Sequence, residues 1–160
     1  QSGHLSLVPR RRTEKHLREG NFCLAMFTDR AVGFLNLPPL GYIRGSLWKG
    51  FFTLYIDPSF RGQGLSHKLI TEALDYYPDC WLYADTTNPI IPNLLAHHGF
   101  EKKEQNQVPW KILLRVALYH QTPLQLLETT KNMLIPHEQN ETPFTIMVRP
   151  PITPFGICCV

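Results

Sequence analysis

Leu54-Tyr55-Ile56-Asp57-Pro58-Ser59-Phe60-Arg61-Gly62-Gln63-Gly64-Leu65-Ser66-His67-Lys68-Leu69-Ile70 is the stretch whose reading decides the fold. Residues 51–56 are apolar or β-branched throughout, the pattern of a strand covered on both faces. Pro58 cannot donate to a ladder, so the strand ends near Asp57. From Leu65 the period changes. Leu65, Leu69, Ile70, Ala73 and Leu74 recur at helical spacing, and Pro78 stops the helix. Between strand and helix, Gly62 and Gly64 let backbone approach a ligand closely. The first N–H groups of a helix have no internal partner. With the helix dipole and the Arg61 cation they form an anion pocket suited to phosphate. No Gly-Lys-Ser/Thr follows, which excludes a P-loop, and the third glycine of a dinucleotide fingerprint is absent.

The rest of the chain fits one domain. It has 160 residues, 43% of them hydrophobic, and a formal charge of +3. That charge permits an anionic ligand but does not argue for nucleic acid, since Arg10-Arg11-Arg12 is the only basic run. Cys23, Cys80, Cys158 and Cys159 show no zinc spacing, so no metal is expected and a reducing, cytoplasmic setting is the simpler reading. No apolar run approaches membrane-helix length, and no signal peptide is visible.

In chain order, residues 4–8 read as a first strand or a tag-like scar, and 11–19 as a short helix closed by Gly20. Residues 21–28 and 31–37 read as a hairpin around Asp29-Arg30. Residues 38–50, with two prolines and three glycines, read as loop. A strand at 80–85, a short helix ending at Gly99, and strands at 100–104 and 110–118 follow. A helix from Thr122 to about Leu134 and a strand at 144–149 complete the pattern. This is an α/β (α+β) domain with a mixed sheet. The boundary falls at residue 118, with a core over 1–118 and an extension over 119–160 as lid or dimer contact.

The central stretch resembles motif A of the GNAT superfamily of acyl-coenzyme A N-acyltransferases, written Arg/Gln-x-x-Gly-x-Gly/Ala. Arg61, Gly64 and Ser66 take its fixed positions, with Ser66 a small departure. Asn88, Gly99 and Phe100 match a second family pattern, so the likeness covers about residues 21–118. It implies a sheet that splays between the strands at 51–56 and 80–85, with acetyl-coenzyme A in the cleft. Leu54, Tyr55 and Ile56 would pair with the pantetheine as an added strand would. Arg61, Gly62, Gln63, Gly64, Leu65 and Ser66 would hold the pyrophosphate, and Asn88 would contribute from the next loop.

The implied reaction is direct attack of a primary amine on the thioester within a ternary complex, without a cysteine nucleophile or a metal. Where the family commonly has a Tyr that protonates the leaving thiolate, this chain has Leu95, which has no proton to give. His98 falls on the same helical face as Leu95 and is the alternative acid; a helix-end role is its bland reading. Where some relatives place a Glu, this chain has Lys49 and Gly50. Asp85, at the end of a core strand, is the carboxylate best placed to act as base, whereas Asp57 reads as a turn cap. Only about a dozen residues separate the first two strands, so the usual pair of N-terminal helices is reduced to one. The alternative from a different class is a non-catalytic coenzyme A-binding module. A homodimer is the default assembly. The acceptor is not legible in the chain.

Overall fold

The computed structural model describes residues 19–120 and 144–152. The elements expected at 4–8, 11–19 and 122–134 fall wholly or almost wholly outside these residues. β1 (Phe22–Phe27) and β2 (Arg30–Asn36) form the expected hairpin, turned through Thr28 at φ 54°. Residues 38–50, expected as loop, are instead two further strands, β3 (Pro39–Ile43) and β4 (Ser46–Gly50). Arg44 and Gly45 both take positive φ, the two-residue turn that matches strand twist. The glycines and prolines that read as loop signals are confined to the turn, the strand ends and a register shift between Pro39 and Gly41.

β5 (Phe52–Ile56) follows β4 almost without interruption, and the two halves pair differently. β4 pairs antiparallel with β3 and parallel with β6 (Trp81–Thr86). β5 pairs antiparallel with β2, in a three-stranded sheet of order β1-β2-β5. The chain from β2 to β5 is thus one long bent hairpin, bridged at the bend by Gly50 N–H donating to Pro38 O at 2.8 Å. The last link from this strand to β6 is Phe51 N–H to Tyr83 O at 2.7 Å. Beyond it β5 leaves the sheet, so it is half-buried after Phe52 rather than covered on both faces.

α1 (Leu65–Tyr76) buries Leu69, Ile70, Ala73 and Leu74 of its predicted stripe. α2 (Ile91–Ala96) ends before Gly99, which takes φ 81° as expected. β7 (Glu101–Lys103) is the strand expected at 100–104.

The strand expected at 110–118 is instead a helix, α3 (Trp110–His120). A continuous apolar run does not separate strand from helix. Here Ile112, Leu113, Val116 and Ala117 are the buried positions, a helical stripe. The 110–118 segment opens after Pro109, whose carbonyl accepts from Ile112 N–H at 2.8 Å.

β8 (Thr145–Arg149) is the strand expected at 144–149, but it lies inside the sheet rather than beyond the core. It pairs antiparallel with both β6 and β7, giving the order β3-β4-β6-β8-β7. Its burial on both faces explains why Ile146, Met147 and Val148 run without a polar break.

The sheet divides two cores. Leu35, Phe51, Leu82, Ala84 and Met147 face Ile70, Leu74 and Leu95 on the side of α1 and α2. Trp48, Phe52, Tyr83, Ile146 and Val148 face Ile112, Leu113 and Val116 on the side of α3. Burying each such side chain contributes about 1.5–3 kcal/mol, so these cores hold the cleft's walls.

Candidate functional site

The site begins where β5 separates from β6. Leu35 pairs with Leu54 and Asn36 with Phe52, so Thr53 is an extra residue in the β5 ladder. Thr53 takes φ 45°, a strained conformation for a β-branched residue. Such a bulge bends and twists its strand, here away from β6. Asp57 N–H donates to Val32 O at 2.7 Å. By the alternation of an antiparallel ladder, the N–H groups of Leu54 and Ile56 therefore point away from β2, into the splay. Tyr55 packs instead on the Phe34 ring, with centroids 5.6 Å apart.

At the end of β5 the turn is built by Asp57. Its carboxylate accepts from Ser59 N–H at 2.9 Å and pairs with Arg30 Nη2 at 2.5 Å. The Ser59 N–H, with a smaller contribution from Arg30, holds the carboxyl below the usual range. A 3-10 turn over Pro58–Phe60 follows. Arg61 then folds back so that its Nε donates to Ile56 O at 3.0 Å, tying the loop to the strand. Gly62 and Gly64 take φ 77° and 73°, with open space where a Cβ would stand. Gly64 is the N-cap of α1 and supplies no side-chain cap, so the first-turn N–H groups of the helix keep no side-chain partner there.

These residues enclose a cleft of about 260 Å³. It is lined by the expected Ile56, Arg61, Gly62, Gly64, Leu65 and Ser66, together with Phe60 and His67. Gln63 belongs to the same loop but not to the lining. Uncapped helical N–H groups, two glycines without obstructing side chains and one guanidinium suit a diphosphate.

Asn88 is placed differently. Its side-chain oxygen accepts from Ile90 N–H at 3.0 Å, and its own N–H donates to Thr86 Oγ1 at 3.0 Å. That side-chain oxygen is used in turning the chain into α2.

Across the splay, β6 presents Asp85. Tyr83 OH donates to Asp85 Oδ2 at 3.3 Å, and His120 Nε2 of α3 lies 3.8 Å from Oδ1. Burial raises the Asp85 pKa, against lowering by His120 and the Tyr83 hydroxyl. Burial likewise raises the Tyr83 phenol, so it stays a proton donor to the carboxylate. His120 packs on Phe52 at 4.8 Å between centroids, and its buried Nε2 has no hydrogen-bond partner among the described residues. Beside it, Asn36 Nδ2 donates to Tyr119 OH at 2.6 Å. His120 was not found from the sequence, because it ends a segment that read as a strand and no motif marks it.

His98 is not at this end of the splay. Its Nε2 lies 3.0 Å from Nδ1 of His67, at the glycine-loop cleft. Leu95 is fully buried in the core against α1, turned away from solvent. Lys49 is also buried, with Nζ donating to Asn21 Oδ1 at 3.0 Å and lying 4.3 Å from the Tyr77 ring centroid. Among the described residues no group of His, Cys, Asp and Glu could hold a metal, and no helix is long and apolar enough to cross a membrane.

Residues 3–100 match the model of the acetyltransferase (GNAT) family. Among solved structures, the chain is similar to N-acetylglutamate synthase from Neisseria gonorrhoeae complexed with coenzyme A and N-acetyl-glutamate. That match has 17% identity and TM-score 0.57, over 88% of this chain and 27% of that one. The chain therefore spans about a quarter of that protein. An Arabidopsis thaliana protein in complex with the bisubstrate analogue CoA-Ac-MVNAL aligns at 16% identity and TM-score 0.54, over 88% of this chain and 79% of that one. A Mycobacterium tuberculosis protein in complex with CoA and NLQ aligns at 19% identity and TM-score 0.54, over 93% and 96%. No curated protein matches the chain. These structural likenesses show the fold: a mixed sheet with flanking helices, of the GNAT type.

Proposed function

The chain belongs to the acetyltransferase (GNAT) family, and from that premise we propose that it transfers an acetyl group from acetyl-coenzyme A to a primary amine by direct attack in a ternary complex. The observation that carries this reading is the coincidence of two features. β5 parts from β6 with its Leu54 and Ile56 N–H groups facing the gap, and the Arg61–Ser66 loop closes the same end of the strand.

In this reading, coenzyme A supplies the thioester and the chain supplies positioning and charge. The main-chain N–H groups at the start of α1 and the Arg61 guanidinium bind the diphosphate. Leu54 and Ile56 pair with the extended amide chain as a missing neighbour strand would. The Leu54 N–H, at the bulged end of the free edge away from the diphosphate loop, then faces the carbonyl oxygen and stabilises charge that develops on it. As the C–N bond forms and the C–S bond breaks, Asp85 accepts the proton of the attacking amine and coenzyme A leaves as its thiolate. The raised pKa of Asp85 makes it a stronger base than a free carboxylate, and the Tyr83 hydroxyl fixes its orientation. An imidazole 3.8 Å away provides an onward acceptor for that proton.

The test is thiol release from acetyl-coenzyme A with a panel of primary amines. Asp85→Asn keeps the Tyr83 hydrogen bond but removes the base, and is expected to lower kcat about a hundredfold while leaving donor affinity within a few-fold. Undiminished turnover in that variant removes Asp85 from the mechanism.

One observation favours a second reading, a coenzyme A-binding module without catalysis. Leu95, 0% exposed, stands where the family's hydroxyl is expected, and no proton donor replaces it there. Tight donor binding with no turnover on any amine would decide for the module.

A further inference from the structure

His67 and His98 meet at the glycine-loop cleft. His67 lies in the first turn of α1 and lines the cleft, whereas His98 follows α2 just before the left-handed Gly99. His67 Nδ1 and His98 Nε2 are 3.0 Å apart, with ring centroids separated by 5.2 Å. At that separation one hydrogen fits between the nitrogens and two would collide. The pair can therefore hold one extra proton at most while the contact stands.

The surroundings decide which ring carries that charge. His98 is half-buried, and its carbonyl accepts from Arg149 Nε at 3.1 Å. Burial depresses the His98 pKa, and His67, His97 and the Arg149 guanidinium add smaller repulsions against a cation there. Asp75 acts on the Arg149 guanidinium, partly offsetting the effect of burial there. Arg61 is the other charged group lining the cleft. A cation is thus disfavoured on His98, and His67 is the ring that lines the cleft. With Nδ1 committed to His98, the Nε2–H of His67 is the donor left for an anion.

We propose that His98 is a positioning residue rather than a catalytic acid: it acts through His67, and the pair is a one-proton clamp on the diphosphate, so that ligand binding at this cleft takes up a proton. The clamp rests on the reading of the cleft as a diphosphate site given above. It adds a requirement that the glycine loop alone does not impose, because main-chain N–H groups bind anions without exchanging protons.

The experiment is titration calorimetry with dephospho-coenzyme A in buffers of different ionisation enthalpy near neutral pH. That probe carries the diphosphate but lacks the phosphate monoester of coenzyme A, whose own pKa near ~6 would confuse the count. Wild-type protein is expected to take up a fraction of a proton, at most about one per ligand, and to bind more tightly as pH falls, by at most about tenfold per pH unit. His67→Gln abolishes the uptake and weakens binding about three- to tenfold. His98→Ala weakens binding and changes the proton count. His98→Gln, whose amide can still donate to or accept from His67 Nδ1, recovers most of the affinity.

Binding without proton uptake overturns the clamp and leaves the diphosphate reading standing. So does a proton count in His67→Gln equal to that of wild type. A His98→Ala variant with unchanged Kd and proton count returns His98 to a purely catalytic or structural role. Failure of the wild-type protein to bind either dephospho-coenzyme A or coenzyme A overturns both readings together.

Discussion

Replacing Gly64 by alanine separates ligand binding from folding. Gly64 sits at φ 73° as the N-cap of α1, and a Cβ added there meets no atom within 4 Å. The cost to the fold is thus conformational and not steric, about 1–2 kcal/mol for a side chain in the left-handed region. The helix it starts is held by four buried side chains, Leu69, Ile70, Ala73 and Leu74, whose burial outweighs that strain several-fold. Tm should fall by only about 2–8 °C in scanning fluorimetry, given about 2–4 °C per kcal/mol for a chain of this size. The added methyl, however, stands in the open space of the loop, where a diphosphate must come within hydrogen-bond reach of the main chain. We expect Gly64→Ala to weaken coenzyme A binding at least tenfold by calorimetry, or about 1.4 kcal/mol. Gly45→Ala is the control, because Gly45 is also left-handed, also open, and lies in the β3–β4 turn away from the cleft. It should show a similar fall in Tm and no change in Kd. If both variants bind coenzyme A within twofold of wild type, backbone approach at Gly64 is not the basis of recognition.

Three other outcomes follow from the same geometry. Leu95→Tyr, which places the family's usual residue at that position, should lose about 1–3 kcal/mol by overpacking, because Leu95 is fully buried in the core; higher turnover at unchanged Tm would refute this. Burial depresses the Lys49 pKa, so as pH falls from about 10.4 the unfolded chain takes up the proton before the folded one and stability declines until the folded value is passed. Urea melts of wild type against Lys49→Met should show the wild type gaining on the variant as pH rises toward about 10.4; a flat difference contradicts the buried-cation account. Asp85 has the opposite sign relation: its raised pKa favours the protonated fold, so stability is lost as pH rises from the unfolded value through the folded one. Asp85→Asn should therefore melt higher than wild type at neutral pH, even as turnover falls, and a lower Tm would contradict the desolvation argument.

The glycine loop was legible because its signals are local. Pro58, Gly62, Gly64 and the helical stripe from Leu65 each state a backbone preference in a few residues, and the structure keeps all of them. Where two local preferences compete, the sequence misleads. Residues 38–50 carry turn residues at strand ends and at one irregularity, so their density hid two strands. The apolar run at 110–118 fits either period until Pro109 and the buried set of α3 decide it. His120 and the His67–His98 contact lay beyond reach for another reason. They join α3 to β6 and α1 to the end of α2, and no spacing in one chain encodes a contact between elements whose order in the sheet is unknown.

The splay shows why this site needs its strained residue. β4 and β5 form a nearly continuous chain path, and a regular strand would stay in register with both β2 and β6. Phe51 N–H still reaches Tyr83 O, and Phe52 still folds its ring over Gly50, where any Cβ would collide with it. One residue later Thr53 adds its unpaired step at positive φ, and from Leu54 onward only β2 is paired. Strain of about 1–3 kcal/mol at such a position persists only where the surroundings fix it. Here Phe51 and Phe52, packed into opposite cores, fix one side, and the β2 ladder fixes the other. The bulge therefore leaves the edge of β5 unpaired while both ends of the strand stay anchored, and the Arg61 bond to Ile56 O ties the loop to that edge. On the proposed function, the groups on the strand and on the helix are thereby placed by the core rather than by the ligand, which is the preorganisation that transfer between two bound substrates requires.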